Sequence, residues 1–235
     1  MSLRGIFPID KWDFNSESIF TNFPEEDYAE MTRHAREEKY RKGQTIFRDG
    51  SIPSGIYYIL EGKVKKSKVN NYQKEQIIYV ANAGEIIGYH AVLSVERYPD
   101  SATALEDCTL LFIPKEDFTG VLEQSPLLSA RLLKMLSHEF TVLSNSITIF
   151  AQRPVRERLA ITLIVLREKF KKGMQVGEPI NINMSREDIA SMAGTTRENV
   201  VRLLREFKDE QLIESHGRKI CIMDIKKMVA VSNYQ

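Results

Sequence analysis

The sequence predicts an α+β protein: an N-terminal double-stranded β-roll of jelly-roll type, a long dimerisation helix, and a C-terminal winged helix-turn-helix. Between positions 40 and 114, glycines at 43, 50, 55, 62, 84 and 88 punctuate short β-rich runs, as in a small barrel or roll. Between 133 and 150, apolar residues step by 3 and 4 along a helical pattern. Between 184 and 222, two short capped helices flank a glycine, and a hairpin follows.

Residues 15–38 read as short helices, with Asn22 or a neighbour opening a turn at FPEED and Tyr28, Met31 and Ala35 at helical spacing. The runs Ile56–Leu60, Gln76–Val80 and Leu110–Ile113 read as strands. The polar stretch Asn70–Lys74 is the turn expected between strands near Val64 and Ile77. Pro126 starts the long helix, in which Leu133, Leu136, Phe140, Leu143, Ile147 and Phe150 form an a/d seam. Such a seam suits a second copy of the same helix; the other reading is an amphipathic helix lying on the roll. Pro154 breaks the pattern and marks a hinge. The expected division is a sensing domain over 1–125, the dimerisation helix and hinge over 126–152, and a DNA-binding domain over 153–235.

In the last domain, Arg156–Phe170 read as a helix, followed by a loop with Gly173 and Gly177 and a short strand Ile180–Ile182. Ser185 is a natural N-cap with Asp188 three residues on, and Gly194 supplies the turn. Thr195 is expected to open the second helix, which buries Val200, Leu203, Leu204 and Phe207. Glu198, Arg202 and Arg205 fall on the opposite side, with Arg197 flanking them. Arg donates two parallel hydrogen bonds to guanine O6 and N7, and Glu accepts from the cytosine N4 amine, so Arg197, Glu198 and Arg202 suit base reading in a major groove. The plainer alternative is a solvated face with i,i+4 pairs such as Glu198 with Arg202. Ile213 and Ile220 flank a Ser-His-Gly-Arg turn that makes a wing, where Lys219 and Arg218 are phosphate candidates and His216 a weaker one.

The whole chain supports two domains with different partners. Its 235 residues are 43% hydrophobic, and no apolar run reaches the ~20 residues of a membrane span. No signal peptide is evident, so a cytoplasmic location without membrane contact is expected. The first 150 residues hold 17 Lys and Arg against 21 Asp and Glu, and the remainder 16 against 11, so a net +1 hides a basic C-terminal part suited to phosphate. Cys108 and Cys221 lie in apolar stretches and read as small buried residues. No G-x-S-x-G, H-E-x-x-H or P-loop pattern is present, and no enzyme is expected.

A β-roll, a long helix, a hinge and a winged helix-turn-helix, in this order, resemble the CRP/FNR family of bacterial transcription regulators, over about residues 15–225. The resemblance is most specific at T-T-R-E-N-V-V-R-L-L, where Arg197, Glu198 and Arg202 occupy the family's R-E-x-x-x-R positions and Thr196 a phosphate-contacting hydroxyl. It implies a homodimer whose recognition helix, 196–209, reads a TGTGA-like inverted repeat in double-stranded DNA, with RNA polymerase as a further partner. In the family's cyclic-nucleotide pocket, Gly84, Glu85 and Ser101 match backbone, ribose and phosphate contacts, and Ser144 a hydroxyl that touches the base. Asp100 stands where the phosphate-neutralising arginine belongs, Glu139 replaces another arginine and Leu143 a second hydroxyl, so cyclic AMP is not the expected effector. Arg97 is the one nearby residue to offset that charge. An iron–sulfur cluster needs about four cysteine ligands against two present, and no metal site is expected. Haem is not expected either, His90 being the least implausible ligand beside His34 and His138. Whether an effector exists stays open, as does the alternative of a small-molecule- or protein-binding roll with a non-essential DNA-binding tail.

Overall fold

Period-two alternation gives each strand one apolar face, and the chain buries those faces between two four-stranded antiparallel sheets. The computed structural model describes residues 3, 5–12, 19–171 and 178–234. After a short helix α1 (Glu25–Met31), β1 (Arg36–Tyr40), β2 (Thr45–Phe47), β3 (Gly55–Glu61), β4 (Lys63–Val69), β5 (Glu75–Asn82) and β6 (Ile86–Ile87) follow. A helix α2 (Tyr89–Ser94) separates these from β7 (Ser101–Ala104) and β8 (Cys108–Pro114). One sheet has the order β1-β8-β3-β6 and the other β2-β7-β4-β5. The register pairs Ile56 with Ile113 and Val64 with Ala81, all buried, which makes the expected roll. Asn70 closes the β4–β5 turn, its side chain accepting the Tyr72 and Lys74 N–H groups at 3.0 Å each.

Helix α1 is shorter than its sequence period suggests. Pro24, not Asn22, precedes its first turn, and Thr32 ends it by bonding back to the Tyr28 carbonyl. Ala35 is therefore not helical: the next residues are drawn into the β1–β8 ladder, where tertiary pairing overrides a local helical spacing.

Helices α3 (Lys115–Gln124) and α4 (Pro126–Gln152) follow the roll. Helix α4 carries two apolar stripes. Leu128, Leu132 and Met135 are buried in one cluster with Ile56, Tyr89 and Phe118, and Val142 and Ile149 continue this buried stripe. The second stripe is exposed: Leu133 by 66%, Phe140 by 74% and Ile147 by 70%, with Leu143 and Phe150 beside them. Leu136, placed in the seam by its spacing, packs against the roll cluster instead. The seam read from sequence was thus only one of two faces, and the alternative of a helix lying on the roll holds for the other.

Two compact units divide the chain, one of Phe14–Glu139 and one of Met1–Asp13 with Phe140–Gln235, so α4 runs through both. The N-terminal residues group with the C-terminal unit rather than with the roll. There Phe7 and Trp12 pack on Tyr234, with ring centroids 5.7 and 4.9 Å apart, and Asn145 donates to the Lys11 carbonyl.

The second unit continues with α5 (Val155–Lys171), β9 (Asn181–Asn183), α6 (Arg186–Ala193), α7 (Arg197–Asp209), β10 (Ile213–His216), β11 (Lys219–Ile222) and α8 (Ile225–Ser232). Strand β9 falls one residue later than its apolar pattern indicated, because Ile182 pairs with Ile220 in the order β10-β11-β9. Gly173 and Gly177 lie outside the described residues. Cys108 is buried as expected; Cys221, on β11, is only half-buried.

Candidate nucleic-acid interface and effector pocket

Local capping builds the two-helix motif. The Ser185 hydroxyl accepts the Asp188 N–H at 3.0 Å and donates to its carboxylate at 2.5 Å, fixing the start of α6. Gly194 ends α6 in the left-handed conformation (φ 62°), and the Thr195 N–H returns to the Ala190 carbonyl. Thr195 is consumed in that closure and buried, its hydroxyl accepting from the Asn199 amide. The N-cap of α7 is therefore Thr196, not Thr195: its hydroxyl accepts the Asn199 N–H.

Val200, Leu203, Leu204 and Phe207 are buried, and Thr196, Arg197, Glu198, Arg202 and Arg205 are exposed together on the outer side of α7. Glu198 is held below its ordinary value by its own backbone N–H and the Thr196 hydroxyl, with the Arg197 charge assisting. A carboxylate anchored at a helix N-terminus is ionised and fixed, which suits an acceptor for an exocyclic amine. Arg202 is paired with Glu206 at 2.5 Å, not with Glu198.

The hairpin places Lys219 opposite His216, both exposed at the tip with Gly217 and Arg218. Gly217 has φ 57°, the left-handed geometry this two-residue turn requires. Three arginines that sequence reasoning did not single out position these elements. Arg186, at the start of α6, donates to the carbonyls of Gly217 (2.9 Å) and Arg218 (3.3 Å), tying the wing to the motif. Arg158 on α5 donates to Ala193 and Gly194 in the turn, and to Phe150 and Arg153 at the end of α4. Arg156 donates from Nη2 to both carboxylate oxygens of Glu210 at 2.7 Å, reaches Glu206 from Nη1 at 3.1 Å, and lies over the Phe207 ring. No spacing rule announces such partners; they depend on which helix packs where.

In the roll, Gly84 (φ 87°) and Glu85 make a turn whose backbone bonds Ile59 on both sides, at 2.8 and 2.9 Å. Glu85 is buried, and the Ser101 hydroxyl accepts the Asp49 N–H. Asp100 is buried and ion-paired with Lys66 at 3.0 Å. Arg97 does not take part: it is exposed and donates to the Gly50 carbonyl. Glu139, on α4, accepts from the Tyr89 hydroxyl at 2.5 Å and contacts His90 Nε2 at 2.8 Å. Burial opposes its ionisation, but His90, Tyr89 and the Lys66 charge outweigh that and hold the carboxyl below 4.5. Burial and the Glu139 charge push the Tyr89 phenol well up, so it stays a neutral donor. Ser144 is exposed on α4 beyond Glu139 and belongs to the other unit, so the four effector candidates are divided between two units. Cys108 donates to the carbonyls of Lys63 and Glu106, and burial raises its thiol pKa.

A cyclic-nucleotide-type roll joined by a long helix to a winged helix-turn-helix defines a class of transcription regulator. Comparison with known proteins agrees at both ends of the chain. The family model for the cyclic nucleotide-binding domain matches residues 37–125, and that for the Crp-like helix-turn-helix domain matches 157–231. The transcriptional activator protein Anr of Pseudomonas aeruginosa is 27% identical over 195 residues, 83% of this chain and 80% of that protein. The fumarate and nitrate reduction regulatory protein of Vibrio cholerae is 26% identical over 197 residues, 84% and 78% of the two chains. The solved structure of FixK2 from Bradyrhizobium japonicum shares the fold at a TM-score of 0.74 and 20% identity, covering 84% of this chain and 96% of that one. The c-di-GMP-responsive regulator CLP of Xanthomonas campestris, also at 0.74 and 18% identical, covers 86% of this chain and 100% of its own. The chain belongs to the CRP/FNR family of transcription regulators. Among the described residues, no helix is long and apolar enough to cross a membrane.

Proposed function

We propose that the chain works as a homodimer that reads a TGTGA-like inverted repeat through α7, without cyclic AMP as its effector. The observation that carries the reading is the outer face of α7: Arg197, Glu198 and Arg202 are exposed on one side, at the helix end capped by Thr196. One Arg–guanine and one Glu–cytosine contact per half-site, repeated by a second copy one helical turn away, would specify such a site. Lys219 and Arg218 on the wing and the Thr196 hydroxyl serve as phosphate contacts, and Arg205 adds positive charge to the same face. The exposed stripe Leu133, Phe140, Leu143, Ile147 and Phe150 supplies the dimer contact, since apolar residues at this spacing pack against an identical helix. A DNA partner places the protein in the cytoplasm, and RNA polymerase is the partner through which such a regulator acts.

Effector chemistry follows from the roll. A cyclic phosphate would meet Asp100 where a cation is needed, and the nearby Lys66 is already neutralised by that carboxylate. Glu139 occupies itself with Tyr89 and His90, which also leaves His90 Nε2 engaged rather than open to haem iron. An iron–sulfur cluster does not fit: the chain has two cysteines, and the sulfur of Cys108 is buried against two backbone carbonyls.

Selection of ligand-free protein against a randomised duplex pool at near-physiological salt tests the reading. A two-fold symmetric consensus with G and C at neighbouring half-site positions is expected, and Arg202→Ala should lose the preference at one position by about tenfold or more. An unchanged consensus for Arg202→Ala would remove base reading by this helix.

A further inference from the structure

Arg202 does not stand alone on the face of α7. Its guanidinium bonds Glu206 Oε1 at 2.5 Å, one turn further along the same helix. The other oxygen of that carboxylate is held by Arg156 of α5 at 3.1 Å. Arg156 is in turn fixed by the bonds its Nη2 makes to both oxygens of Glu210 and by lying 4.8 Å over the ring of Phe207, a buried residue of α7. A chain of alternating charge thus runs from the packed side of the recognition helix to the side turned to solvent.

We propose that Glu206 is a positioning residue for base recognition: anchored by Arg156, it holds Arg202 in the pose that reads guanine. The inference rests on Arg202 being a base-reading residue, and adds what sets its orientation. A guanidinium has five N–H donors, and the bond to Glu206 uses one, on Nη1. The Nε–Nη2 edge stays available for the two parallel bonds that guanine O6 and N7 accept. An arginine side chain otherwise samples many rotamers, and ordering it on binding costs free energy that a pre-set carboxylate partner removes. Glu206 also places a negative charge near the phosphates, so it lowers general affinity while sharpening choice. A passive surface carboxylate would share the effect on general affinity but leave the choice of base unchanged.

The two readouts separate in one experiment. Glu206→Gln, Arg156→Ala and Arg202→Ala are each titrated against the selected site, the same site with the Arg202 guanine changed to adenine, and an unrelated duplex. Glu206→Gln is expected to tighten binding to the unrelated duplex and to reduce the guanine-over-adenine ratio about tenfold, leaving preferences at other positions intact. Arg156→Ala, which retains the carboxylate but frees it, is expected to reduce the same ratio alone. A guanine-over-adenine ratio that is unchanged or larger in Glu206→Gln overturns the proposal. An unchanged ratio in Arg202→Ala overturns the base reading beneath it, a result the other variants do not mimic.

Discussion

Asp100 is a buried carboxylate of the roll, and Lys66 answers its charge at 3.0 Å. Both side chains are largely buried, at 9% and 12% exposure, so each is a charge that depends on the other. Removing one partner of a buried pair leaves the other uncompensated, whereas replacing both with apolar groups of similar size is close to neutral. Lys66→Met alone should therefore lower stability by about 3 kcal/mol in urea unfolding, and Lys66→Met with Asp100→Leu should recover most of it. Equal losses in the single and double variants would mean that the pair is not an energetic unit. Sequence alone exposed the carboxylate but not its partner: Lys66 lies 34 positions earlier on β4, one of several lysines alternating with apolar and polar residues, and only the β4–β7 pairing brings it across.

At the scale of elements, the residues that were legible are those whose signal is local. Ser185, Gly194 and the Val200–Phe207 face declare themselves through caps, turns and a 3.6-residue period, and the structure keeps each of them. Thr195 and Thr196 were harder, because either can cap a helix; closure of α6 by the Thr195 N–H decides it. Helix α4 shows the opposite failing. Its exposed stripe is clear as a heptad pattern, yet that pattern does not distinguish Leu128, Leu132 and Met135 on the other face, nor show that Leu136 also packs against the roll. Where α4 meets the roll, Glu139 bonds Tyr89 and His90 of α2. Its carboxyl sits below 4.5 in the fold, so its contribution is present above that value and is lost as pH falls through the lower, folded one. The stability gap between the wild type and Glu139→Gln should accordingly shrink below about pH 4.5 in urea unfolding. A gap that stays constant there would show that the hydrogen bonds, not the charge, carry the contact.

For the molecule as a whole, the exposed stripe on α4 is an apolar feature that a single copy leaves uncovered. Phe140 and Ile147 are each at least 70% exposed, far more than core side chains of this size tolerate without a partner. Ile147→Asp should leave the fold of one chain intact, since that side chain touches no core, while abolishing dimers in sedimentation velocity and weakening binding to the two-fold site far more than to a half-site. Sedimentation as a dimer despite the aspartate would place the contact elsewhere.

The packing of Phe7 and Trp12 on Tyr234 carries a consequence for how the protein is made. These aromatic residues emerge from the ribosome more than two hundred residues before the tyrosine that covers them. All of the roll's strands are synthesised in the interval, so that unit can fold while the first segment of the DNA-binding unit is still waiting. The latter unit is therefore closed only after the roll's strands have been made, when Tyr234 arrives to cover Phe7 and Trp12.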